Sequence, residues 1–132
     1  MHHDQFARGI EEFNNRYFFE CHDTLEDLWM DTVGRDRLFL QGLIQVSVGF
    51  YHLFNRNFKG AVSQFTKGSS KLEAYRPAHS GVAIDRLLSE TRLWLSLAND
   101  GLRGEDVVLE ETSVPKIHYN PDLAKENLSC QQ

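Results

Sequence analysis

Wound at 100° per residue, the stretch from Asp36 to Phe54 is apolar on nearly every side. Leu40, Leu43, Ile44, Tyr51 and Phe54 fall on one side, and Leu38 and Val48 on the other. A helix of that kind needs neighbours all round it. The requirement sets the fold class: an all-α, compact multi-helix bundle of about five helices, with this helix central. Proline placement agrees. Pro77, Pro115 and Pro121 all lie outside the periodic segments, so everything before Pro77 can be helix broken by short turns.

The remaining helices follow from apolar spacing. Phe6, Ile10, Phe13 and Tyr17 mark one face of a first helix that Asn14 and Asn15 break or bend. A second runs from Phe18 to Met30, with Phe18, Cys21, Leu25, Leu28 and Trp29 on one side and Gly34 as its terminator. Asn57 is a candidate cap for a fourth, whose face carries Phe58, Ala61, Val62, Phe65, Ser69 and Leu72. Residues 77–81 read as a loop. Ile84, Leu87, Leu88, Thr91, Trp94, Leu95 and Ala98 mark a fifth helix, closed by Gly101 and Gly104. The short connections favour antiparallel neighbours. Residues 1–104 read as a single helical domain. Residues 105–132 read as a tail that packs on it or extends from it, with Ile117 and Tyr119 as anchors.

A chain of 132 residues with 41% hydrophobic residues can bury one core without disulfides. The formal net charge is −5 and no long Lys/Arg run appears, which argues against nucleic-acid binding. The apolar stretch from Leu38 to Phe54 is interrupted by Gln41, Gln45 and His52, so it is not a membrane span. No signal peptide is expected, and Cys21 and Cys130 read as reduced thiols in a cytoplasmic protein.

The candidate site is a set of polar residues on faces that should be buried. His22 falls inside the apolar stripe of the second helix, and Glu26 sits one turn on. Gln41, Gln45 and His52 project along one line of the third helix, flanked by Gly42 and Gly49, which let a neighbouring helix approach closely. The natural neighbour is the second helix, so the two polar rows should face each other. An unsatisfied buried polar group costs about 1–3 kcal/mol, so these groups need partners. A histidine beside a carboxylate can move protons, and both groups can ligate a divalent metal. The metal candidates are His22, Glu26 and His52; the catalytic candidates are Glu26, His22 and Glu20. Trp29, Gln41, Gln45 and His52 are the ligand-binding candidates. Taken singly, each has a structural reading: a satisfied core histidine, a boundary charge, or an amide bonded to backbone. The run HDTLE shares only part of the helical zinc-protease spacing, lacking the second histidine. Cys21 and His22 point about 100° apart on a helix and do not form a nucleophile–base pair.

The stretches FFECHDTLEDLW, QGLIQVSVGFYH and NFKGA resemble the motifs of domain of unknown function family 309, in order and spacing, over about residues 5–75. They supply Glu20, His22, Asp23, Glu26 and Trp29, then Gln41, Gly42, Gln45 and His52. Asp23 departs from the glutamate commoner there. The resemblance implies a compact all-α fold in a cytosolic or plastid setting, and no assigned activity. Three readings stand open: a helical protein whose polar cluster is a small-molecule or metal pocket, a small metal-dependent or acid/base hydrolase-like enzyme, and a protein–protein interaction module. A homodimer through an apolar helix face is a further expectation.

Overall fold

The computed structural model describes residues 1–110, 113 and 115–123; Cys130 lies outside the described residues. α1 covers His3–Asn14, α2 Phe18–Met30, α3 Arg35–Phe54, α4 Phe58–Leu72 and α5 Ile84–Leu102. The described residues thus form the expected all-α bundle, and α2 has its predicted bounds. Arg16 (φ 66°) and Arg56 (φ 58°) take positive φ in the tight links after α1 and α3. The first link carries Tyr17 off the apolar face expected for it: it precedes α2 and is exposed. Gly34 (φ 75°) does have the backbone only glycine adopts freely, but it starts α3 rather than ending α2. Arg37 reaches back over the end of α2: its Nη1 donates to Trp29 O at 2.9 Å and to Thr32 O, just past the helix, at 3.1 Å, while Thr32 Oγ1 donates to Leu28 O.

Phe50, on α3, is fully buried and touches all four other helices. Its ring meets Phe13 of α1 at 5.7 Å, Phe18 of α2 at 5.3 Å, Phe65 of α4 at 4.8 Å and Trp94 of α5 at 5.8 Å. Three of these contacts are edge-on, the arrangement the ring quadrupole favours. The inner face of α3 continues through Phe39, Leu40, Leu43, Val46 and Leu53. Its outer crest is not covered: Leu38 is 44% exposed and Tyr51 40%. α3 is therefore central in the sense of packing between α2 and α4, with one side left to solvent.

The glycines of α3 serve α4, not α2. A Cβ on Gly42 would lie 2.8 Å from Leu72, and one on Gly49 would lie 2.5 Å from the Phe65 ring. Across the seam, a Cβ on Gly68 would lie 2.8 Å from the Gly42 carbonyl oxygen.

In place of a plain loop, Ala78–His79 (β1) and Val82–Ala83 (β2) pair antiparallel, with Ala78 opposite Ala83. Ser80 (φ 48°) and Gly81 (φ 80°) make the two-residue turn, whose positive φ values match strand twist. Residues 117–120 run beside β2: Ala83 N–H donates to His118 O at 3.0 Å, and Asn120 N–H to Gly81 O at 2.8 Å. Asn14 of α1 grips Ile117 with both ends of its amide: Nδ2 donates to Ile117 O at 3.0 Å, and Oδ1 accepts from Ile117 N–H at 2.7 Å. Ile117 is buried, and the Tyr119 ring meets Phe6 edge-on at 5.4 Å. No helix among the described residues is long and apolar enough to cross a membrane.

Candidate functional site

His22 and Glu26 stand one turn apart on α2, so their side chains meet. His22 Nε2 lies 2.7 Å from Glu26 Oε2, and Nδ1 lies 3.1 Å from Asp23 Oδ1. Only a ring protonated at both nitrogens can donate to both carboxylates. The trio is not buried: His22 is 29% exposed, Asp23 60% and Glu26 48%. This corrects the expectation of a buried cluster. The buried stripe of α2 is Phe18, Cys21, Thr24, Leu25 and Leu28, and His22 lies beside it, on the solvent side.

Gln41, Gln45 and His52 do share one line on α3, and that line is its half-buried outer crest. Two of the three reach toward α4. Gln45 Oε1 accepts from Lys71 Nζ at 2.8 Å. His52 Nδ1 accepts from Asn57 Nδ2 at 3.3 Å, while Asn57 Oδ1 caps α4 by accepting from Gly60 N–H at 3.0 Å. His52 thus belongs to the α3–α4 turn, and the two expected rows do not face each other as one unit.

What α2 and α3 do share is an open depression of about 220 Å³ lined by Glu26, Trp29, Gln41, Ile44 and Gln45. It brings together four of the predicted residues, with His22 joined to it through Glu26. Trp29 Nε1 is buried and unpartnered, and the Arg37 guanidinium lies 3.8 Å from the ring centre. Glu20 stands apart and lines a second depression beside Phe19 and Tyr51.

The expected metal set does not assemble. His52 is committed to the α4 side of α3, and both His22 nitrogens are engaged. Among the described residues no three His, Cys, Asp or Glu side chains are placed to hold an ion. Cys21 is a free, buried thiol. Burial pushes its pKa up to about 12, against the lowering effect of a Ser47 hydrogen bond, so it packs as a thiol and is no nucleophile.

One polar pair was not foreseen. His79 on β1 donates through Nε2 to Asp36 Oδ1 on α3 at 2.7 Å, with side chains only 9% and 16% exposed. The His79 ring packs against Phe39 at 4.7 Å and Tyr75 at 4.8 Å. The bond from His79 holds the Asp36 carboxyl below the usual carboxylate range, with burial working against it. The partners are 43 residues apart, so no local spacing announces them.

Residues 6–64, which carry α1 from Phe6, all of α2 and α3, and the start of α4, match the model of the family described as "Domain of unknown function (DUF309)". Over those residues the chain is similar to this family. The matched stretch holds every predicted site residue from Glu20 to His52, and leaves out Lys71 and the hairpin. YpuF of Bacillus subtilis (strain 168), described as an uncharacterized protein, is 30% identical over 77 residues. That match takes in 58% of this chain and 44% of YpuF, so the chain spans less than half the length of this relative.

Proposed function

We propose that this chain is a non-catalytic recognition module, and that it binds a basic segment of a partner across the outer face of α2 and the α2–α3 seam. One observation carries the reading. Glu20, Asp23, Glu26, Asp27 and Asp31 are all exposed along α2 and its end, with no Lys or Arg between Tyr17 and Gly34. This acidic face borders the depression at Glu26, where Glu26 keeps one oxygen free of His22 and Gln45 keeps its Nε2 free of Lys71. Carboxylates steer a cationic partner, and amides can bond its backbone. A cytoplasmic setting goes with this reading, supported by the free thiol of Cys21.

A small-molecule pocket draws less support, because the depression is shallow and open. An acid/base enzyme draws less again: no hydroxyl or thiol lines the depression, and both His22 nitrogens are already held.

The test is an NMR titration of isotope-labelled protein with three peptides of equal length, rich in lysine, glutamine or glutamate. The lysine-rich peptide should shift the Gln41 and Gln45 side-chain amides and the Trp29 indole, and added salt should weaken the effect. Glu26→Gln should reduce it. Equal shifts from all three peptides, or none from any, would rule the reading out.

A further inference from the structure

Three exposed aromatic rings converge at one place on this surface. Tyr17 is 58% exposed, Phe19 51% and Tyr51 40%. Apolar side chains scattered singly on a surface need no explanation, but a cluster of large rings does. These three line one depression of about 330 Å³, together with Phe18 and Phe54. Phe18 and Phe54 lie parallel, with ring centres 6.1 Å apart and planes within 2°. Phe19 and Tyr51 touch across the α2–α3 seam at 5.6 Å. The rest of the lining is polar: Glu20, in the first turn of α2, Arg16, in the link before it, and Asn55, at the end of α3.

We propose that this aromatic depression binds a small zwitterion: a methylated ammonium held by the rings and Glu20, joined to a carboxylate or phosphate held by Arg16. The chemistry of the lining selects this class. Three exposed aromatic rings border the depression, an aromatic face attracts a cation, and methylation spreads the charge over a surface that rings can cover. A bare metal ion would find only one carboxylate here. A purely apolar ligand would leave Glu20 and Arg16 without use, and an anion alone would sit against Glu20. The proposal does not rest on the recognition of a basic partner at the neighbouring seam, and either can fail alone.

The probes are glycine betaine, phosphocholine, choline, and the neutral isostere of choline in which carbon replaces nitrogen. Each is titrated into isotope-labelled full chain while the ring resonances of Phe19 and Tyr51 are followed. Betaine or phosphocholine should give saturable shifts there, and comparison of the two tells carboxylate from phosphate. Choline should bind more weakly than the better zwitterion, and Arg16→Gln should remove that difference. Phe19→Ala and Tyr51→Ala should each weaken binding by about threefold or more. Both rings are exposed, so these variants should stay folded with only a small drop in melting temperature, and Glu20→Gln offers a further variant that leaves the rings intact. Shifts from the neutral isostere equal to those from choline would overturn the cation site. Choline binding as tightly as both zwitterions would overturn the role of Arg16, and no saturable shift from any probe would overturn the whole.

Discussion

His79 Nε2 donates to Asp36 Oδ1 at 2.7 Å and so ties the β-hairpin to the first turn of α3. The carboxyl is held below its usual range, chiefly by this bond. A carboxyl depressed in the folded state contributes stability that is complete above its unfolded pKa and is lost as pH falls through its folded pKa. The groups around the pair are the Arg35 guanidinium, the Tyr75 hydroxyl and the N-terminal amine. Asp36→Asn should therefore cost stability at neutral pH, and the gap to the parent should narrow at about pH 3. Urea midpoints of both proteins at the two pH values check this. A gap that stays constant would show that the charge on Asp36 contributes nothing.

Adjacent positions on α3 should behave very differently. Phe50 is fully buried, with rings from four helices around it, whereas Tyr51 is 40% exposed. Phe50→Ala should cost about 3–5 kcal/mol through lost burial and the cavity left behind. That is a large share of the roughly 5–15 kcal/mol that holds a domain folded. Tyr51→Ala should stay within about 0.5–1 kcal/mol. Thermal melts of the two variants check the contrast, and equal losses would contradict the placement of the α3 crest.

The contrast also shows what was legible in the sequence. Helical angles give the direction of a side chain but not the identity of the neighbour it meets. They put Gln41, Gln45 and His52 on one line, and that line exists. They could not say that Lys71 and Asn57 of the α4 side would meet it, because α3 has a neighbour on each flank. Gly42 and Gly49 were misassigned to α2 for the same reason. α2 was legible because Phe18, Cys21, Leu25 and Leu28 recur at helical spacing, with no glycine or proline between Phe18 and Met30. The Asp36–His79 pair was not, since it joins segments far apart in the chain. The hairpin left one signal, the Ser80-Gly81 dipeptide, a usual turn former. Two-residue strands leave no alternation to read.

Gly49→Ala tests the close packing of α3 on α4. Alanine is the better helix former by about 1 kcal/mol. Yet its Cβ would sit 2.5 Å and 2.6 Å from two atoms of the Phe65 ring, which is itself fully buried. The ring is fixed by Phe50 at 4.8 Å and cannot swing aside freely. Overpacking should win, at a net cost of about 1–3 kcal/mol. A variant as stable as the parent in chemical denaturation would mean that the helices part easily.

Asn57 has two tasks that can be separated by substitution. Its Oδ1 caps α4 at Gly60 N–H, and its Nδ2 donates to His52 Nδ1. Asn57→Ala removes both and should cost about 0.5–2 kcal/mol. Asn57→Asp keeps the cap but cannot donate to the ring, so it should fall between parent and alanine. Aspartate equal to alanine in a thermal melt would mean that the His52 bond, not the cap, is what matters.

The clamp of Asn14 on Ile117 should control the attachment of the strand segment beyond it. Both backbone groups of Ile117 are satisfied by one side-chain amide, across 103 residues of sequence. Asn14→Ala leaves them without that partner, at a cost of about 1–3 kcal/mol. Part of the cost falls on local opening, because residues 117–120 are held otherwise by two backbone bonds to β2 and its turn and by the Ile117 and Tyr119 side chains. Hydrogen exchange should therefore speed up at Ala83 and Asn120, whose N–H groups bond across this seam, and much less at Phe50 and Leu53 inside α3. Unchanged exchange at Ala83 and Asn120 would mean that the apolar anchors alone hold the segment. A uniform rise that includes Phe50 and Leu53 would mean that the clamp is part of the global fold.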